Sequence, residues 1–75
     1  MKPPLSPWYA FGRGQQRTLR RPYLDAQVLP VVGGAWRWDV RTMDGRIVDI
    51  GTRPTCAAAR VAATAVLLDA LDGAP

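Results

Sequence analysis

Seventy-five residues with ten basic and six acidic side chains, one cysteine and no histidine leave room for a single small domain with a thin core. The lone Cys56 excludes an internal disulfide framework, and the missing histidine excludes a zinc site of the usual Cys/His kind, which fits a reducing setting. No apolar run approaches the ~20 residues that span a bilayer, and prolines interrupt MKPPLSPWYA where a signal peptide needs a continuous apolar segment, so a soluble, cytoplasmic protein with no membrane partner is expected.

The net charge of +4 is unevenly spread. Lys2, Arg13, Arg17, Arg20 and Arg21 give residues 1–24 a charge of +5 with no acidic residue, whereas five Arg and six Asp give residues 25–75 a charge of −1. Nine of the ten basic residues are Arg, whose planar fork bonds carboxylate or phosphate at two points and stacks on rings.

Residues 1–22 hold four prolines and two glycines and sustain no period of 2 or 3.6, which predicts an irregular basic arm. Trp8, Tyr9 and Phe11 are too clustered and apolar for a free linker and are expected to pack on the domain or on a partner. The remaining residues, 23–75, form the predicted domain. Its first strand, 23–32, places Leu24, Ala26 and Val28 on one face and Asp25 and Gln27 on the other, and Pro30 puts that strand or its end at a sheet edge. Gly33-Gly34 supplies a turn.

A strand over 36–42 sets Trp36, Trp38 and Val40 against Arg37, Asp39 and Arg41. Asp44-Gly45 is a hairpin signal that predicts a type I′ turn, and a strand over 46–52 follows with Val48 and Ile50 as its core pair. Thr55, after Pro54, is the expected N-cap of a helix that runs to about Leu71 and stops at Gly73. Ala58, Val61, Ala65 and Leu68 make its predicted core stripe. Ala62, Val66, Leu67 and Leu71 widen the apolar surface beyond what one three-stranded sheet can cover, which predicts a second buried face against the arm's aromatics, a twin subunit or a foreign partner. The expected fold is therefore α+β: a small three-stranded antiparallel sheet packed by one C-terminal helix, β-β-β-α, with an irregular basic N-terminal arm.

The chemistry is sparse. Cys56 in the first helical turn has no histidine to pair with and reads as a small buried residue. The aspartates form no paired-carboxylate motif; Asp39 and Asp49 are expected to pair across the hairpin with Arg37, Arg41 or Arg46. Gly12-Arg13-Gly14 is too short for a phosphate loop. No catalytic residue, metal site or cofactor is expected, and the chain reads as a binding protein and not as an enzyme.

Two features can carry binding. In the arm, Trp8, Tyr9 and Phe11 are candidate anchors, and Arg13, Arg17, Arg20 and Arg21 can pair with acidic side chains or with bound nucleic acid. On the sheet, Arg37, Arg41, Arg46 and Arg53 are candidates for direct DNA or RNA contact. Residues 57–71 of the apolar helix could also join two copies in a homodimer.

Gly34-Ala35-Trp36, Val40, Asp44-Gly45-Arg46, Gly51-Thr52, Thr55 and Ala59 resemble the pattern of the arm-type N-terminal domains of phage integrases over residues 33–62. That resemblance implies a three-stranded sheet backed by one helix and laid into the DNA major groove. The three-strand-then-helix order is also similar to antitoxins of the HicAB type. In kind, the chain resembles the small inhibitors that phages and mobile elements direct at host machinery, anti-CRISPR proteins among them, which implies docking on a host protein or nucleoprotein complex to inhibit it. The alternative is a DNA-binding accessory module that uses the sheet face and the arm.

Overall fold

The computed structural model describes residues 4–73, so Lys2, which contributes to the charge of the expected arm, lies outside the described residues. Five strands precede one helix: β1 Tyr9–Phe11, β2 Gly14–Arg20, β3 Tyr23–Pro30, β4 Trp36–Thr42, β5 Ile47–Arg53 and α1 Cys56–Gly73. They form one antiparallel meander in the order β1-β2-β3-β4-β5, with α1 lying over β3, β4 and β5.

The expected three-stranded sheet with an irregular arm is thus corrected to five strands, and the described arm is largely sheet. GQQRTLR runs along β3 in unbroken register from Gln15 opposite Val28 to Arg20 opposite Tyr23. Its alternation is hidden because neither of its faces is broadly apolar. Gln16, Thr18 and Arg20 face away from the helix, and of Gln15, Arg17 and Leu19 on the helix side only Leu19 reaches the core. Residues 4–6 continue the pairing along the outer edge of β2, where the Ser6 amide donates to the Thr18 carbonyl and Leu5 bridges Leu19.

The four elements expected from residue 23 onward, three strands and a helix, are present, with changes of detail. β3 is the central strand and not an edge; Pro30 is tolerated because β2 begins only at Gly14, opposite Leu29, so the missing donor faces no partner strand. The 42–46 hairpin closes with three loop residues. The Gly45 amide donates to the Thr42 carbonyl, and only Gly45 has positive φ, so the turn is a type I turn followed by a left-handed glycine and not type I′.

A bulge between Val40 and Arg41 pairs Val40 with Asp49 and Arg41 with Ile47, leaving Val48 as the extra residue. Val48 and Ile50 are therefore not the core pair but half-exposed, and Gly51 takes the inward place. A Cβ there would stand 2.8 Å from Trp38 Nε1, so glycine is what lets the indole lie flat across β5.

Thr55 caps α1 as expected, its hydroxyl accepting from the Ala58 amide at 3.1 Å. The buried stripe is Ala59, Ala63 and Leu67, and not the expected one through Val61, Ala65 and Leu68. A helix apolar on nearly every side carries no periodic signal for which side goes down. Steric fit decides: alanines let α1 come close above the bulk of Trp38 and Val40. Leu19, Leu24, Ala26, Val28, Trp38 and Val40 complete the core beneath it.

Candidate functional site: an open sheet face and a helix groove

Residues directly opposite in an antiparallel ladder share a face, so the register assembles the side of the sheet that α1 does not cover. One row runs Tyr9, Gln16, Gln27, Asp39, Ile50, and the next runs Thr18, Asp25, Arg41, Ile47. Each row holds one carboxylate inside it, Asp39 in the first and Asp25 in the second, and each ends on β5 in an isoleucine, with Tyr9 at the other end of the first row.

The carboxylates are held by their neighbours. Asp25 Oδ1 accepts from Thr18 Oγ1 at 2.9 Å, Gln16 Nε2 at 3.1 Å and the Tyr23 hydroxyl at 3.1 Å, and Gln27 Nε2 donates in turn to Gln16 Oε1. The hydrogen bond to Asp25 is the main reason the Tyr23 phenol is pushed above its ordinary pKa. Asp39 accepts from Arg41 Nε at 3.2 Å and lies 3.7 Å from Arg37 Nη2; the two arginines and the flanking rows leave it only 1% exposed although no layer covers it. The result is a hydrogen-bonded platform with Tyr9, Phe11 and Tyr23 half-exposed on one side and Ile47 and Ile50 on the other.

The opposite side of the sheet holds a different constellation. The Arg17 guanidinium sits 5.3 Å from the centroid of the Trp8 ring and donates to Thr64 Oγ1 at 3.2 Å, and Arg60 donates to Gln15 Oε1 at 3.2 Å. Trp8, Arg17, Arg60, Val61, Ala65 and Leu68 line a groove of about 490 Å³ between α1 and β2. Burial, and then repulsion from Arg60, lowers the Arg17 pKa. Neither arginine has an acidic partner among the described residues.

The sequence-derived sets are therefore divided between the faces. Tyr9, Phe11 and Arg20 reach the open face, Trp8 and Arg17 the groove, and Arg13 and Arg21 the two turns that flank β2. Of the proposed nucleic-acid contacts, Arg37 and Arg41 share the open face and one carboxylate, in place of cross-strand pairs. Arg46 pairs with Asp44 in the turn at 3.4 Å, and Arg53, opposite Trp36, lies on the helix side. Asp49 forms no ion pair among the described residues; its carboxylate accepts from the Ile50 amide. Sequence reasoning missed Gln16, Tyr23, Asp25 and Gln27 as a network and Arg60 as a groove residue. Polar residues two apart in both β2 and β3 were the available signal for the network.

Cys56 is half-buried at the start of α1, and among the described residues no helix is long and apolar enough to cross a membrane. No protein-family model matches the chain, and neither a curated protein nor a solved structure matches it.

Proposed function

We propose that the chain acts by stoichiometric binding, as an accessory protein of the phage or mobile-element kind that docks on a protein or nucleoprotein assembly in the host cytoplasm and blocks it. The open face is the docking surface. The observation that carries this reading is a hydrogen-bonded platform in which Tyr23, Arg37 and Arg41 are tied to two carboxylates, with Tyr9 and Phe11 half-exposed on the same face. Tyrosine and arginine are the side chains that most often anchor protein interfaces, and fixing them beforehand lowers the entropy lost on binding.

Direct readout of a duplex fits this face less well. Asp25 and Asp39 lie at its middle, so Arg20, Arg37 and Arg41 oppose phosphates with two carboxylates among them. The test is to capture partners from a host extract, purify the captured assembly and titrate it with wild-type protein, with Tyr9→Ala/Phe11→Ala/Arg37→Ala, and with Arg17→Ala. A one-to-one complex that inhibits the assembly, weakened by the triple variant and not by Arg17→Ala, supports the reading. Binding to a random DNA duplex at physiological salt, weakening steeply as salt is added, would replace it with the nucleic-acid alternative.

A further inference from the structure

β5 ends the sheet, and six of its seven residues are exposed. The register fixes which backbone groups stand on its outer edge. The Thr42 amide donates to the Arg46 carbonyl, so Thr42, Val40, Trp38 and Trp36 turn their backbone groups toward β5, and the partners Asp49, Gly51 and Arg53 turn theirs back toward β4. Ile50 and Thr52, in alternate places, therefore face outward. The strand's own side chains occupy them: the Asp49 carboxylate accepts from the Ile50 amide at 2.8 Å, and Arg53 Nη1 donates to the Thr52 carbonyl at 2.8 Å. Asp49 and Arg53 are the only charged residues of β5 and lie on the helix side, symmetrically about Gly51. Both are exposed, so α1 leaves the space above this edge open.

We infer that a second copy of this chain pairs with this edge, β5 antiparallel to β5 about a two-fold axis that stands normal to the sheet at Gly51. Such an axis reverses strand direction and keeps the helix side of both copies on one side of the joined sheet. Asp49 thus stands directly opposite Arg53 of the second copy, and the pair occurs twice. Ile50 stands opposite Thr52 of the second copy, and these are the residues whose backbone groups face outward, so each such pair exchanges both amide-to-carbonyl bonds. Gly51 brings no side chain to the axis.

Joining the edges is an exchange of partners. The Ile50 amide leaves the Asp49 carboxylate for the Thr52 carbonyl of the second copy, and that carbonyl leaves its own Arg53. The two side chains released are the ones the register sets face to face. Centring the axis on Ile50 would put Asp49 on Gly51 and leave both charges unpaired, and centring it on Asp49 would set like on like. A single strand edge buries less than the ~800 Å² per partner of a standard interface, so a dissociation constant on the order of 100 μM is expected. Both open faces stay uncovered on the same side of the joined sheet, so the dimer stands or falls independently of the docking reading above.

Sedimentation equilibrium on the full chain, from about 10 μM to about 1 mM, tests the inference together with amide hydrogen exchange at both ends of that range. Wild type should pass from monomer to dimer, and the Ile50 and Thr52 amides should gain protection with concentration while those of Asp49 and Gly51, already bonded to β4, should not. Asp49→Arg and Arg53→Asp should each weaken the dimer by about tenfold, because each sets like charges opposite one another twice, and the two together should restore it. Thr52→Pro, which removes an outward amide and no bond to β4, should abolish the dimer with the melting curve of the monomer retained. A wild type that stays monomeric throughout overturns the inference. So does a dimer that leaves the Ile50 and Thr52 amides unprotected, one indifferent to Asp49→Arg and Arg53→Asp, or a charge-swapped double variant that stays monomeric while keeping the wild-type circular dichroism.

Discussion

The two faces of the sheet bury their side chains by different means. Under α1 burial is apolar and depends on shape: Ala59, Ala63 and Leu67 sit on Trp38 and Val40, and Gly51 clears the space that the indole fills. On the open face Asp39 is as inaccessible as a core residue, yet what hides it is Arg37, Arg41 and the flanking rows of the same sheet. An uncovered face can therefore hide a carboxylate as fully as a covered one where neighbouring side chains pair with it. It stays available to a partner because its aromatic and aliphatic side chains remain half-exposed at the margins.

Removing the N-terminal strands would break the comparison outright. Deleting residues 1–22 takes away β1, β2, Leu19 and the residues on both sides of β2 at once, and loss of any cooperative transition in thermal circular dichroism is expected. A truncated chain that melts like the full one would mean these strands are ornamental. Next in size, Leu67→Ala should cost about 2–5 kcal/mol in denaturant unfolding, against less than about 0.5 kcal/mol for the adjacent Leu68→Ala. Reversal of that order would turn the helix over.

On the open face Asp39→Ala should cost less, about 1–2 kcal/mol, because the arginines it leaves unpaired are more than a third exposed and water screens them. A loss as large as that of Leu67→Ala would make the two faces equivalent. The smallest effect is expected at Tyr23. Its hydrogen bond to Asp25 raises the phenol pKa in the folded chain above the ordinary value of 10.0, so the stability this bond contributes is complete below that pH and is lost as pH rises through the folded value. Tyr23→Phe should flatten that alkaline decline in melting temperature while changing the neutral value by under about 1 kcal/mol.

The C-terminal two thirds were the more legible part. The alternation of Trp36, Trp38 and Val40 with charged residues marked β4, Leu24, Ala26 and Val28 marked β3, and Thr55 marked the start of α1; each signal is local, and each element is where it was expected. β2 was illegible because a strand whose two faces meet water and a groove need not alternate. The candidate site suffered in the same way. Trp8 and Tyr9 are neighbours in the chain but lie on opposite faces of the sheet, so a cluster of aromatics and arginines in the sequence becomes two surfaces in space.

What the chain determined by itself was the kind of element at most positions and the charge imbalance between its ends, since capping, alternation and turn chemistry act over a few residues. Tertiary structure alone decided how many strands join the sheet, which side of α1 goes down and where each arginine finds its partner. Those outcomes depend on register and steric fit between segments far apart in sequence, and an evenly apolar helix or a polar strand leaves them unspecified until the segments meet.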